Sequence, residues 1–333
     1  MAKPKRLLIL TRDRTNAAFR QRVEPFLAPL AARGIETQVV EMAKSPWERS
    51  RQMRRAHDFD GVLLQRKTLA LWDKWSLRGA VRRLIYDFDD AVMYQARTPE
   101  EPHPARLRRF CRTVQRAHLV IAGNGLLADR ARKSGGRHVE VVPTGLDTSR
   151  FPPKKAYSAH NPLRLVWVGS ASTLKQLAPF HDMFEALAQA RTKVVLRIIA
   201  DASLEVPGLA VENVPWMLQT ESHLLAESDV GIAPLPDTPY TRGKCGFKVL
   251  QYMAAGLPVI TSPVGVNAEY VTPEKTGLWA RSPKEWVEAV ERLAADTRLR
   301  ERLGHKGRER AVKEFDFKAL APRVCELIEQ ALA

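Results

Sequence analysis

Apolar residues fall in short Leu-, Ile- and Val-rich runs along this chain, separated by longer stretches in which apolar positions recur every three or four residues. The short runs read as strands buried on both faces, and the intervening stretches as amphipathic helices. Their alternation is the pattern of βα units in a parallel sheet. In the first half it predicts strands over 6–10, 37–41, 61–65, 84–87, 119–122 and 139–142. The pattern then restarts, with strands expected over 164–169, 194–200, 210–213, 230–233, 258–261 and 277–280.

Between the two series stands VPTGLDTSRFPPKK, residues 142–155, and then a polar stretch up to Asn161-Pro162. Pro and Gly at that density break both periodicities, so this is the expected linker. The fold class that follows is α/β, with two Rossmann-like domains facing a cleft, over 1–155 and 156–316. Residues 317–333, with Leu320, Val324, Leu327 and Ile328 at helical spacing, should form a closing helix that packs back on the first domain.

A length of 333 residues suits two domains at ~150 residues each. With 45% hydrophobic and 27% charged residues, an extended or disordered chain is excluded. The net charge of +16 is unevenly placed: residues 1–150 carry 30 basic and 16 acidic side chains, residues 151–333 carry 23 and 21. One half is therefore expected to meet an acidic partner or surface. No apolar run approaches the ~18 residues of a membrane span, and MAKPKRLLIL has too short an apolar run for a signal peptide. Cys111, Cys245 and Cys325 give neither a disulfide framework nor a zinc spacing. The expected location is the cytoplasm.

The richest stretch chemically is YTRGKCGFKVLQYMAAGLPVITSPVGVNAEY, residues 240–270. It predicts a helix over 247–255 ended by a left-handed Gly256. Gly243 and Gly246 before it allow close backbone approach, so Gly246 and Phe247 offer amides to a phosphate at the helix N-terminus. Lys244 and Lys248 are cations where the macrodipole disfavours them by ~0.3–1 kcal/mol, a cost that a bound anion reverses. The alternative is that both lysines reach out to water. Gln251, one turn on, is either a ligand for vicinal hydroxyls or an ordinary glutamine on the helix surface.

A second candidate is LVWVGSASTLK, residues 165–175. Gly169, Ser170, Thr173 and Lys175 follow a strand and precede a helix, where parallel sheets bind diphosphates. Taken alone, Ser172 or Thr173 reads as a helix N-cap. In the first half, LIYDFDDAVM puts Asp87, Asp89 and Asp90 at a strand's carboxyl end. Carboxylates so close raise one another's proton affinity unless cations intervene. They read as a metal cluster, as acids orienting an acceptor hydroxyl, or as a helix cap with solvated neighbours. Asn124, in a Gly-Asn-Gly turn, and Arg20, near TRDRTN at 11–16, are further candidates. The eight histidines show no paired ligand spacing, and none sits in a nucleophile motif.

Together, residues 243–269, residues 166–175, the segment GNGLLA at 123–128 and VPTGLDTSRF at 142–151 resemble the family 4 glycosyltransferases of the GT-B type, in order and spacing. The resemblance runs from about Tyr86 onward. It implies retaining transfer from a nucleotide diphosphate sugar, without a metal or other cofactor, the donor being held mainly by the second domain. It also implies that the strand end bearing Asp87, Asp89 and Asp90 faces the cleft near donor and acceptor, so that an acid there orients an acceptor hydroxyl. The family's usual glycine-rich loop after the first strand is absent, and Arg20 stands there as an expected contact for an anionic acceptor, while Asn124 is either a further acceptor-side residue or only part of a turn. That family carries two glutamates eight positions apart, where this chain has Gly243 and Gln251. Its usual arginine and lysine after the first donor-domain strand correspond to Ser170 and Lys175. Lys244 and Lys248 are then expected to supply the charge that a departing diphosphate needs.

Three basic segments with apolar or aromatic residues, 47–55, 72–83 and 106–117, suit an anionic bilayer surface. For each alone, the plain reading is a core face plus solvated arginines. The expected partners are a nucleotide-sugar donor, a glycan or lipid-linked acceptor and the inner face of a membrane, in surface-glycan or glycolipid assembly. Two other readings are a nucleotide-sugar epimerase of the same fold and a nucleic-acid-binding protein. No recognition helix, zinc finger or RNA-binding aromatic signature accompanies the charge, so nucleic acid is not an expected partner.

Overall fold

The computed structural model describes residues 4–77, 81–158 and 160–333. The chain begins β1 (Lys5–Thr11), α1 (Ala17–Arg22), α2 (Leu27–Ala32), β2 (Ile35–Glu41), α3 (Pro46–Arg54), β3 (Gly61–Gln65), α4 (Leu71–Leu77), β4 (Leu84–Phe88), α5 (Pro104–Arg116), β5 (Leu119–Ala122), α6 (Gly125–Lys133) and β6 (Val139–Val141). The second series is β7 (Leu163–Val168), α7 (Ala171–Leu174), α8 (His181–Gln189), β8 (Val194–Ala200), β9 (Ala210–Pro215), α9 (Glu221–Ala226), β10 (Val230–Ala233), α10 (Pro239–Arg242), α11 (Phe247–Ala254), β11 (Val259–Thr261), α12 (Val266–Tyr270) and β12 (Gly277–Trp279). Three helices close it: α13 (Pro283–Ala295), α14 (Thr297–Arg310) and α15 (Phe317–Leu332).

The strands form two six-stranded sheets, β2-β1-β3-β4-β5-β6 and β12-β11-β10-β7-β8-β9, parallel throughout. All twelve expected strands are present, with ends displaced by a residue or two. The inner strands were legible because a parallel strand is covered on both faces and so is apolar along its length, whereas the edge strands β2, β6 and β9 carry charged residues and are only partly buried. In the first sheet Leu8, Leu10, Val62, Leu64, Tyr86 and Phe88 face one core. Their neighbours Leu7, Ile9, Leu63, Ile85 and Ile121 face another, which α15 covers with Leu320, Val324, Leu327 and Ile328. In the second sheet Leu165 and Trp167 alternate with Val166 and Val168 in the same way.

The chain divides into two units, Met1–Gly145 with Thr238–Cys245 and Phe317–Ala333, and Leu146–Asp237 with Gly246–Asp316. The division lies ten residues before the expected boundary at 155. The cause is packing: Leu146 and Phe151 enter the second unit's core, and Leu146 donates its N–H to the Phe315 carbonyl. The Asp316 carboxylate also accepts from the Thr148 amide at 3.1 Å. Much of the proline-rich stretch is thus docked on unit 2. Segment 238–245, expected in the second domain, packs in the first.

Helix α11 ends as its sequence requires. Gly256 has φ 74°, and the amides of Gly256 and Leu257 donate to the carbonyls of Met253 and Tyr252, the paired bonds of a Schellman turn.

Unit 1 also buries a full ion pair. Arg22 of α1 holds Asp87 of β4 with Nη2–Oδ1 at 2.6 Å, and its Nη1 donates to the Val142 carbonyl at 2.9 Å. Burial pushes the Asp87 carboxyl up, with Arg22 pulling against it. Burial also opposes the Arg22 charge, but Asp87 outweighs it and raises the guanidinium pKa. Arg22→Ala leaves a buried carboxylate without this partner, and the expected cost is about 3–5 kcal/mol in urea unfolding. Replacing both, Arg22→Met with Asp87→Leu, should recover most of that loss. A single variant as stable as the parent would show that the pair does not constrain the fold.

Candidate functional site

Two groups of residues carry the chemistry singled out in the sequence, one in each unit. In unit 1 the acids at the end of β4 separate. Asp87 points into the core at Arg22, so it does not serve as an acceptor-side group. Asp89 is buried, with Oδ1 3.4 Å from Arg66 Nε. Asp90 meets Arg66 Nη2 at 2.8 Å and Lys244 Nζ at 3.3 Å. Among the described residues the three acids do not form a group with metal-ligand spacing. The one such group is His181, Asp182 and Glu185, all exposed on α8.

The sequence reading missed Arg22 and Arg66. Arg22 sits on α1 between the core residues Phe19 and Phe26, where a basic side chain needs an acid, and that is a usable signal. Arg66 gives a conformational one only in the structure: its φ is 54°, sparsely populated for a residue with a Cβ. Burial opposes its charge, and Asp89 with Asp90 outweighs that and raises its pKa.

Segment Thr238–Cys245 reaches this cluster because two glycines allow close packing. A Cβ on Gly243 would lie 2.7 Å from that of Ala91, and one on Gly123 would lie 2.8 Å from Asp89 Cα. The first glutamate position of the resemblance is therefore a packing position here. Lys244 donates to Tyr240 Oη at 2.9 Å and lies 4.3 Å from that ring's centroid. Burial opposes its charge too, while Asp90 and Tyr240 outweigh burial and raise its pKa. Lys244, expected to serve a diphosphate, has its charge matched by Asp90 within unit 1 in this structure. Asn124 likewise caps α6, accepting from the Leu127 amide at 2.8 Å and donating to the Lys244 carbonyl at 3.3 Å. It is a structural cap and not an acceptor contact. Arg20 lies on α1, half-buried.

In unit 2, Gly169 follows β7 with no room for a Cβ, which would meet the Trp167 ring at 2.5 Å and Thr173 Oγ1 at 2.6 Å. The N-cap of α7 is Ser170, whereas Ser172 or Thr173 was expected. The Ser170 amide donates to Thr173 Oγ1 at 3.0 Å, and the Ala171 amide donates to the Asp201 carboxylate. Two backbone donors expected to face a diphosphate are thus engaged internally. Asp201, directly after β8, was also missed. The hydroxyl of Ser170 and the side chain of Lys175 remain exposed.

The start of α11 is different. Gly246 is its N-cap at φ 63°, and no side chain caps this helix. A Cβ there would meet Val266 at 2.7 Å, so glycine is required for both backbone and packing. Phe247 packs on the apolar core and Lys248 Nζ lies 4.7 Å from the centroid of Trp167. The ring returns ~0.5–1 kcal/mol of the cost of placing a cation at a helix N-terminus. Gln251 is 4% exposed, which excludes an ordinary surface glutamine.

Residues 162–296 match the family described as glycosyl transferases group 1. Over 206 residues the chain is 25% identical to the MMP α-(1→4)-mannosyltransferase of Mycolicibacterium hassiacum, covering 59% of this chain and 49% of that protein. It is 23% identical to the glycogen synthase of Mycobacterium tuberculosis, over 58% and 49%. The chain spans about half the length of these curated relatives. Sucrose-phosphate synthase from Thermosynechococcus elongatus superposes with a TM-score of 0.77 at 18% identity, over 98% of both chains. Anabaena HepE in complex with UDP-glucose gives 0.73 at 16%, over 98% and 99%. WaaG, a glycosyltransferase involved in lipopolysaccharide biosynthesis, gives 0.68 at 16%, over 97% and 99%. The fold is that of the GT-B glycosyltransferases.

Restoring a carboxylate by Gly243→Glu should cost about 1–3 kcal/mol in urea unfolding through overpacking. Ala91→Gly in the same chain removes the contacting methyl and should return part of it. A neutral Gly243→Glu change would show that Ala91 does not exclude a side chain there.

Proposed function

We propose that this chain is a family 4 glycosyltransferase. In this reading it moves a sugar with retention from a nucleotide diphosphate sugar to a glycan or lipid-linked acceptor, without a metal ion. Unit 2 takes the donor and unit 1 the acceptor. The observation that carries the reading is the start of α11, inside the segment that matches glycosyl transferases group 1. A left-handed Gly246 opens the helix with no side-chain cap, Lys248 stands in its first turn, and Gln251 is buried one turn on.

The chemistry is that of a leaving group. Breaking the anomeric bond puts charge on the departing diphosphate, so fixed amides and a cation aimed at it stabilise the transition state more than the ground state. The first amides of a helix have no intrahelical acceptor and carry the positive end of the macrodipole. Lys248, pinned over Trp167, adds a full charge with part of its freedom already lost. Gln251 can donate to and accept from vicinal ribose hydroxyls. Lys175 and Ser170 are placed as outer contacts of the nucleotide, since the amides of their own turn are engaged by Thr173 and Asp201. On the acceptor side Asp89 meets Arg66, and Asp90 meets both Arg66 and Lys244, which holds these carboxylates in place to orient a hydroxyl.

Uridine diphosphate is the first ligand to test, since HepE was solved with UDP and with UDP-glucose. In a thermal-shift panel of UDP, GDP and ADP, a ligand at 100 times its Kd should add ~2.7 kcal/mol of native-state stability. Lys248→Ala should weaken that binding by roughly tenfold to a hundredfold, the worth of one charge-assisted hydrogen bond, while leaving the unliganded melting temperature in place. No shift with any nucleoside diphosphate, or an unchanged Kd in the variant, would overturn the reading. Transfer assays with a chelator, and the anomeric configuration of the product by NMR, test the metal and stereochemical parts: activity should persist and the configuration should be kept.

A further inference from the structure

Three tryptophans of unit 1 are largely exposed on two adjacent helices. Trp47 of α3 is 85% exposed, and Trp72 and Trp75 of α4 are 76% and 68% exposed, with Leu71 beside them at 59%. Residues with this much apolar area are ordinarily drawn into a core, and scattered single exceptions need no explanation. Four on one pair of packed helices do.

Their placement is built in. Arg49 of α3 donates to the Asp73 carboxylate of α4 at 2.6 Å, and Asp73 also accepts from the Ala70 amide at 2.9 Å. That bridge fixes the two helices side by side on their inner faces, with Met53 buried beneath. Helical spacing then decides the outer faces. Trp47, Arg51 and Arg54 share one stripe of α3, at i, i+4 and i+7, and Leu71 and Trp75 share one of α4. Arg51, Arg54 and the following Arg55 are exposed, and Glu48 is the one acid on α3.

We propose that this α3–α4 face is a membrane-docking surface that inserts its tryptophans at the headgroup level of an anionic bilayer. Two features of the face choose that occupant. Tryptophan's amphipathic ring partitions to the boundary between headgroups and acyl chains, and arginines on the same stripe meet anionic headgroups. The surrounding sequence agrees in sign, since residues 1–150 hold 30 basic against 16 acidic side chains. The surface is narrower than the sequence suggested. Of the three basic segments, 106–117 drops out, because Phe110 and Val114 of α5 are fully buried and no large apolar side chain of the segment is exposed. Of segment 72–83, residues 78–80 lie outside the described residues. No described helix is long and apolar enough to cross a membrane.

The test uses the full chain and two vesicle types, phosphatidylcholine alone and an equal mixture with phosphatidylglycerol. Co-sedimentation should occur with the mixed vesicles and weaken as salt rises. Brominated acyl chains should quench the protein's tryptophan fluorescence on binding. Trp47→Ser, Trp72→Ser and Trp75→Ser combined should lower vesicle affinity by about tenfold or more, and so should Arg51→Gln with Arg54→Gln. If the triple variant fails to fold, quenching of the unmodified protein and the arginine pair decide the matter. Absent or charge-independent binding, no quenching, or variants that bind as the parent does would overturn the proposal. Protection of the same tryptophans by a soluble oligosaccharide without lipid would assign the face to a glycan instead. Self-association that the triple change abolishes would assign it to a second copy of the chain.

Discussion

Three carboxylates delivered to the end of one strand are the constraint around which unit 1 is arranged. Taking charge out of water is costly unless each acid meets a cation. The partners come from three distant segments: Arg22 lies 65 residues from Asp87, Arg66 lies 24 from Asp90, and Lys244 lies 154 from Asp90. Satisfying the cluster therefore fixes the entry of α1, the backbone after β3 and the path of Thr238–Cys245 together. Replacing such pairs by apolar residues is often neutral, whereas breaking one side is not. Their contribution is to specify one arrangement more than to stabilise it, and the contacts of Gly243 with Ala91 and of Gly123 with Asp89 reinforce the same choice.

That network also explains where the sequence could be read and where it could not. The inner strands and the end of α11 were legible because continuous apolar runs and a helix-ending glycine act locally. The boundary between units was not, since it depends on Leu146 and Thr148 meeting Phe315 and Asp316, 168 residues away in the case of Thr148. Gln251 was ambiguous for another reason. Helix α11 is buried from Val249 through Ala254, and a helix enclosed on all sides has no polar stripe from which a surface glutamine can be told. Around Ser170 the candidate residues were right in kind, but Asp201, on the neighbouring strand end, had already engaged a backbone donor there.

The two lysines flanking Gly246 show most clearly what tertiary structure adds. In sequence they are equivalent, four residues apart around one glycine turn. In the fold they belong to different units: Lys244 neutralises Asp90, and Lys248 rests on Trp167. Within unit 2, Lys248 is the lysine at the start of α11, in a half of the sequence that has little net charge. Asp201 at the neighbouring turn adds an opposing one. The two turns therefore differ: the β7 turn has its amides engaged within the unit, and α11 starts without a side-chain cap.

The same accounting bears on the basic half. Within residues 1–150 the cluster sets Arg22 and Arg66 against Asp87, Asp89 and Asp90, with Lys244 from later in the chain completing the balance, so the cluster supplies none of that half's positive excess. The excess of positive charge in residues 1–150 is consequently a surface property, carried by exposed side chains such as Arg51, Arg54, Arg55, Arg82, Arg83, Arg108 and Arg109. Arginines facing water add little to folding stability, and a large excess of one sign weakens a compact fold through self-repulsion. An uneven distribution of this kind is hard to attribute to folding, which directs attention to what the first half meets outside itself.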